Sequence, residues 1–169
     1  MLLTKATEAD FDVIYKAMTE SFIPEEIRAR EDAKALLSES GYGIYKITKD
    51  GEWVGFITLW SLCGFTFIEH FVIFAAMRSR GLGEECLKEL KSRHKALVLE
   101  AEPPVEDIQK RRIGFYQRCG FFTNDFHYIQ PSYREGMSGV ELVLMSYPTP
   151  LDDCNAVKCE LYKKVYKVL

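Results

Sequence analysis

Long apolar runs, paired cysteines and a strong excess of one charge are all missing from this sequence, and each absence closes off a class of function. No stretch of the 169 residues approaches the ~20 consecutive apolar residues of a bilayer-spanning helix. The start, Met1-Leu2-Leu3-Thr4-Lys5-Ala6, runs into polar Thr7-Glu8-Ala9-Asp10 without a signal-peptide core. A cytoplasmic protein with no membrane partner is the expectation. Five cysteines (Cys63, Cys86, Cys119, Cys154, Cys159) are scattered without C-x-x-C spacing, and His70, His94 and His127 show no zinc-ligand spacing. Reduced thiols and no metal site are expected. A formal net charge of only -3 supplies no general attraction to nucleic acid, despite the local run Lys110-Arg111-Arg112. Internal repeats, low-complexity tracts and domain-type linkers are absent too.

What is present is the composition of an ordinary globular chain, with 47% hydrophobic and 28% charged residues and enough length for one compact core. A first strand reads over 2–6, and Thr7 with Asp10 resembles a capping box opening a helix to Ser21. Pro24 at a first-turn position and Gly41 as a stop predict a second helix between them. Residues 42–49 and 53–61 are β-rich and joined by Asp50-Gly51, a hairpin signal, and 65–74 extends the meander. Then follow a glycine turn, a helix over 82–95, a strand over 96–101, a helix over 105–118 and strands over 122–130 and 140–147. Val157, Leu161 and Val165, four apart, predict an amphipathic helix in the tail over 152–169, with its lysines as a solvated face. The pattern is α+β around a mixed central sheet.

The informative stretch is Ile68-Glu69-His70-Phe71-Val72-Ile73-Phe74-Ala75-Ala76-Met77-Arg78-Ser79-Arg80-Gly81-Leu82-Gly83, a strand passing through a short loop into a helix. Unpaired N–H groups and the positive dipole end at a helix start favour an anion, and glycines let a phosphate approach the backbone. Arg78 and Arg80 add charge. A P-loop is excluded because the G-K-S/T ending is missing, and the segment does not follow the first strand as a dinucleotide fingerprint does.

In this context the segment resembles motif A of the GNAT superfamily of N-acetyltransferases, Q/R-x-x-G-x-G/A after the fourth strand, filled here by Arg78, Gly81 and Gly83. Phe115-Tyr116-Gln117-Arg118-Cys119-Gly120-Phe121 resembles the family's F-Y-x-x-x-G-F segment, and the order of elements is similar over most of the chain. Arg111-Arg112-Ile113-Gly114-Phe115-Tyr116 and Tyr128-Ile129-Gln130-Pro131-Ser132-Tyr133 further resemble a subgroup of small members without an assigned substrate. The resemblance implies a GNAT-like acyl-CoA acyltransferase fold over 1–150, about seven strands and four flanking helices, with the tail helix over 151–169 packed on it. It also implies acetyl-CoA as donor, its diphosphate on Arg78, Ser79, Arg80, Gly81, Leu82 and Gly83, and its pantetheine arm along Phe71, Val72 and Ile73. The family's usual N-x-x-A is replaced by Gln109 and Arg112, which assigns Gln109 the asparagine's contact.

Tyr116 matches the family tyrosine that protonates the coenzyme A sulfur, and an unperturbed pKa of about 10 keeps it protonated at neutral pH. The competing reading is a core tyrosine between Phe115 and Phe121. Glu69 and His70 adjoin on the fourth strand, so simple alternation sends them to opposite faces. Glu69 is the preferred base and His70 the second, against a structural hydrogen-bonded pair. Glu100 and Glu102 either hold a cationic amine or complement the next helix dipole. Tyr128, Gln130 and Tyr133 either line the acceptor side or pack.

The implied activity is transfer of acetyl from acetyl-CoA directly to a primary amine, with a small-molecule acceptor and a monomer or homodimer as the working unit. No cysteine has a sequence neighbour that would activate it as an intermediate nucleophile. A protein lysine or N-terminal acetyltransferase, or a non-catalytic acyl-CoA-binding module, are the alternatives.

Overall fold

Strand-forming residues crowd the middle of the chain, and Asp50-Gly51 folds them back on themselves. Both residues take left-handed φ, 51° and 83°, as a tight hairpin between right-twisted strands requires. In the computed structural model, which describes residues 1–168, this turn joins β2 (Tyr42–Lys49) to β3 (Glu52–Ser61), and β4 (Thr66–Ile73) continues the antiparallel meander. A short β1 (Leu2–Lys5) pairs with β2. On the far side β5 (Leu97–Ala101) runs parallel to β4, and β8 (Val140–Tyr147) runs antiparallel to β5. Two short pieces, β6 (Phe122–Thr123) and β7 (Tyr128–Gln130), pair with β8.

Among the described residues the sheet has eight strands in the order β1-β2-β3-β4-β5-β8-β6, with β7 also on β8. The single strand expected over 122–130 is split at Asn124. Its backbone N–H still bonds Leu144 O, while its buried side-chain amide donates to Leu144 O and Ser146 Oγ and accepts from the Leu151 N–H.

Helices cover both faces. One face buries Phe11, Ile14 and Met18 of α1 (Phe11–Ser21), Ala33 of α2 (Arg30–Ala35) and Leu161 of α5 (Cys154–Leu161). The other buries Leu82, Cys86, Leu87 and Leu90 of α3 (Leu82–Arg93) and Ile113 of α4 (Asp107–Arg118). The Thr7 N–H donates to Asp10 Oδ2 at 2.8 Å, as the capping box predicts. The long second helix does not form. A 3-10 turn at Pro24–Glu26 is followed by extended backbone at Ile27, and only the short α2 is α-helical. Tertiary hydrogen bonds compete for the carbonyls there: Glu26 O accepts from His70, Ile27 O from Arg134 and Arg28 O from Tyr15.

The tail helix starts on Asp153, whose carboxylate accepts from the Ala156 N–H, and then widens into a π turn at Tyr162–Tyr166. Leu161 and Val165 are buried as the spacing predicts, while Val157 is half-buried. Leu169, the last residue of the expected tail, lies outside the described residues.

One irregularity shapes the centre of the sheet. Thr58 of β3 pairs with His70, but Leu59 pairs with Ile68, so Glu69 is an extra, bulged residue of β4. Thr58 holds the slip in place: its buried hydroxyl oxygen accepts the His70 backbone N–H at 2.9 Å and lies 3.1 Å from His70 Nδ1. Thr58→Val keeps the shape but leaves that N–H buried without an acceptor. The expected loss in urea unfolding is about 1–3 kcal/mol at unchanged m-value; an unmoved midpoint would show that the bulge holds without the hydroxyl.

Candidate active site

Parallel pairing of β4 with β5 covers only Thr66, Phe67 and Ile68 against Leu97, Val98 and Leu99. Beyond them the strands part around a cleft of about 750 Å³. Backbone polar groups alternate in direction along a strand. The Phe74 N–H bonds Val54 O and the His70 N–H turns to Thr58, both on the β3 side, so Phe71 and Ile73 present their N–H groups to the cleft. Val72 contributes backbone only, because its side chain is buried in the α1/α2 core.

At the foot of this edge the chain turns into α3. Gly81 takes φ +73° at the N-cap position, a left-handed backbone that L side chains rarely adopt, and supplies no side-chain cap. A Cβ on Gly83 would lie 3.1 Å from Phe115, so glycine there lets α3 and α4 meet. The first turn of α3 therefore directs uncapped N–H groups and its positive dipole end toward the cleft wall formed by Arg78, Ser79, Gly81, Leu82 and Gly83. Arg78 Nε donates to Ile73 O at 3.0 Å and Arg80 to Ala76 O at 3.2 Å, which folds both exposed guanidinium groups over their own loop. Arg80 does not line the cleft, whereas Arg118 of α4 does.

Tyr116 lines the cleft between these halves, packed against Phe115 and Phe121 with ring centroids 5.2 and 5.8 Å away. Its hydroxyl makes no hydrogen bond among the described residues, and burial pushes its pKa up to about 12. Gln109 stands elsewhere, which corrects the cofactor contact expected for it. It is the third residue of α4, and its Oε1 accepts from the N–H groups of Val105 and Glu106 as a helix cap. Arg112, one turn on, lines the cleft and pairs with Glu102, so Glu102 is not an uncommitted carboxylate.

The bulge also overturns the expected opposition of Glu69 and His70. Both side chains lie on the α1/α2 face, 3.6 Å apart and beside Thr58. Glu69 is buried and takes Arg28 Nη1 at 2.5 Å and the Tyr133 hydroxyl at 2.6 Å on one oxygen. Burial alone would raise its carboxyl, but the Arg28 guanidinium and the Tyr133 hydroxyl outweigh it and hold the pKa below the usual value. His70 is saturated. A carbonyl only accepts, so Nε2–H must donate to Glu26 O, 3.0 Å away, and Nδ1 is left to the Thr58 hydroxyl. Burial holds its pKa down, so the ring is neutral. His70 offers no lone pair to the cleft, whereas Glu69 commits one oxygen to Arg28 and Tyr133 and keeps the other 3.5 Å from the Thr58 hydroxyl.

Glu100 sits deeper on the same face and accepts from the hydroxyls of Tyr128 and Tyr166. Burial raises its pKa to about 7 against the lowering effect of both phenols. Arg28 is the common tie of this region: Nη2 donates to Val165 O at 2.9 Å, and the guanidinium lies 3.9 Å from the centre of the Tyr133 ring.

A strand edge opening onto an uncapped helix start, with a tyrosine between, agrees with the relatives of this sequence. The acetyltransferase (GNAT) family profile matches residues 11–121. This chain belongs to the GNAT acetyltransferase family. The provisionally named acetyltransferase YjbC of Bacillus subtilis (strain 168) is 31% identical over 109 residues, 63% of this chain and 55% of YjbC, so the match spans about half the length of that relative. A provisionally named GNAT-family acetyltransferase from Bacteroides thetaiotaomicron is 33% identical, with a TM-score of 0.94 over 100% of both chains. A GNAT acetyltransferase from Elizabethkingia anophelis, solved with acetyl-CoA bound, shares the fold at 16% identity, TM-score 0.59, over 88% of this chain and 97% of its own.

Within this GNAT fold the structure brings the expected site residues, from Glu69 and His70 on β4 through Arg78, Ser79, Gly81, Leu82 and Gly83 to Glu100, Glu102 and Tyr116, to one cleft, and leaves only Gln109 and Arg80 off its wall. Arg28, Tyr166 and Glu26 were missed. Their positions depend on an unwound helix and a docked tail, which no local spacing announces. The tail's contribution is testable through Tyr166→Phe. A carboxylate accepts a stronger hydrogen bond than a carboxylic acid, and Glu100 ionises through about pH 7 in the folded protein. Because that pKa is raised above its unfolded value, the favourable contribution of the protonated form is present at low pH and lost as pH rises through 7. Removing a phenol donor should widen that loss, so the unfolding free energy in urea should fall more at pH 8.5 than at pH 5, by about 1.5–3 kcal/mol at the higher pH; equal losses would disconnect Tyr166 from Glu100.

Proposed function

We propose that this protein is an acetyl-CoA-dependent N-acetyltransferase acting on a primary amine, with the donor in the cleft between β4 and β5. The observation that carries the reading is the continuity of the free Phe71 and Ile73 edge, the uncapped start of α3 and the unpartnered Tyr116 hydroxyl within one cleft. A pantetheine arm carries amides at strand-like spacing, which suit the backbone of Phe71 and Ile73 as an added strand. The diphosphate suits the N–H groups of Leu82 and Gly83, with Arg78 and Arg118 supplying positive charge. The acetyl thioester supplies an electrophilic carbonyl and a thiolate leaving group.

Tyr116 holds the proton that the departing sulfur needs. A pKa of about 12 keeps the phenol protonated across the physiological range. The acceptor side is lined by Glu26, Glu69, Glu100 and Glu102, of which Glu69 and Glu102 are matched by Arg28 and Arg112. The remaining carboxylates favour a cationic amine over an anionic acceptor. A small acceptor remains our reading, in a working unit of one or two chains in the cytoplasm. No helix of the described residues is long and apolar enough to cross a membrane.

Calorimetry on the wild type tests the donor. Acetyl-CoA and coenzyme A should both bind, and Gly81→Glu should weaken both at least tenfold, because it strains a left-handed residue and brings a carboxylate to the diphosphate. Absence of heat with either ligand at millimolar concentration would remove the donor assignment. Tyr116→Phe separates an enzyme from a binding module. Donor affinity should survive, while thiol release with an active amine falls by roughly tenfold to a thousandfold; normal turnover with a lowered melting temperature would make Tyr116 a packing residue.

A further inference from the structure

The cleft holds a carboxylate that no family signature points to. We propose that Glu26 takes the proton from the acceptor ammonium, and that His70 is the positioning residue that holds Glu26 at the cleft. This inference rests on the amine acetyltransferase reading above.

Three observations carry it. First, the other carboxylates of the acceptor side are committed: Glu69 to Arg28 and Tyr133, Glu100 to Tyr128 and Tyr166, Glu102 to Arg112. The Glu26 carboxylate is half-buried in the cleft wall, with no side-chain hydrogen bond or ion pair among the described residues and only the Ile23 backbone of its own turn as a partner. Second, it faces the same cleft as the β4 edge and Tyr116, so a base and an acid lie on one cavity. Third, its backbone is tethered. His70 Nε2–H donates to Glu26 O at 3.0 Å, and Phe22 packs edge-on against the imidazole with centroids 4.9 Å apart. The tether fixes the 3-10 turn Pro24–Glu26 against β4.

Charge around Glu26 comes from every side of the cleft. Glu102 and Glu100 of β5 and Glu25 of its own turn oppose its ionisation, Arg112 of α4 and the Ile23 backbone hydrogen bond favour it, and His70 is neutral. With partial burial as the largest cause, its pKa is raised to about 7. That value suits a group that must be ionised at neutral pH and basic enough to accept a proton. In the step itself an N–H bond of the ammonium breaks, its electron pair stays on nitrogen, and the proton forms an O–H bond on Glu26. The neutral amine is then the nucleophile, and Glu26 returns the proton to water at the cleft mouth.

The full chain, labelled with 13C at glutamate Cδ, is titrated by NMR with coenzyme A present, for wild type, Glu26→Gln, His70→Phe and His70→Gln. Of the two carboxyls titrating near pH 7, those of Glu26 and Glu100, one should vanish in Glu26→Gln. In His70→Phe it should move at least one pH unit toward the ordinary value near 4.5, and His70→Gln, which keeps an N–H donor, should partly restore it. In parallel, thiol release from acetyl-CoA is followed across pH with an active amine. Wild-type kcat/KM should rise with pH and level off above about 7, as the ionised fraction of Glu26 saturates. Glu26→Gln should lose that limb and fall by roughly a hundredfold to ten-thousandfold. His70→Phe should lower kcat and shift the limb, which a loss of stability alone would not do. A limb that survives in Glu26→Gln, or a Glu26 that titrates near 4.5 in the wild type, overturns the base assignment and leaves the enzyme reading standing. A wild type that binds coenzyme A but releases no thiol with any amine overturns both.

Discussion

A mere three residue pairs, from Thr66 with Leu97 to Ile68 with Leu99, join β4 to β5. Past them β4 is held from the β3 side alone, and the bulge at Glu69 adds local twist that turns it away from its parallel neighbour. A sheet opened inside a domain exposes backbone donors and acceptors, which require partners. The fold directs them into a cleft and ends that cleft on a helix start whose own donors are uncapped. Strand edge and helix dipole thus face one cleft, and their alignment follows from the few residues of loop between Ile73 and Leu82.

The same bulge organises the opposite wall. By placing Glu69 and His70 on one face, it brings a buried carboxylate against Arg28 and an imidazole against the Pro24–Glu26 turn. Arg28 contacts β4 through Glu69, the late loop through Tyr133 and the tail through Val165 O. A buried ion pair of this kind adds little net stability over an apolar pair, yet losing either partner costs about 3–5 kcal/mol because the other charge is stranded. Its consequence is geometric: segments distant in sequence are held in one arrangement around the acceptor side.

The two halves of the cleft therefore work by different chemistry. The half proposed for the donor is built mainly from backbone, with glycine where close approach or a left-handed turn demands it. The acceptor half is built from ionisable side chains contributed by the α1–α2 segment, β4, β5, α4 and the tail. Burial sets their protonation, pushing Glu26 and Glu100 up while Arg28 holds Glu69 down.

That division decides what could be read from the sequence. A backbone site leaves a local mark: Arg78, Gly81 and Gly83 at fixed spacing after an apolar strand, the Asp50-Gly51 hairpin, the Thr7 and Asp10 cap and the Phe115-Tyr116 pair were all legible, because each depends on residues within a few positions of one another. The meander, the cradle and the α+β sheet followed from them. The interrupted second helix, the division of 122–130 at Asn124 and the bulge at Glu69 were not legible, because each involves a side-chain hydrogen bond between residues distant in sequence. Gln109 had the spacing of a ligand contact, but its position in the first turn of α4 made it a cap. Which carboxylate is paired and which is not depends on Arg28, Arg112 and three tyrosines meeting from separate elements. Only the tertiary structure decides that, since a charge is matched or left unmatched by its neighbours in space.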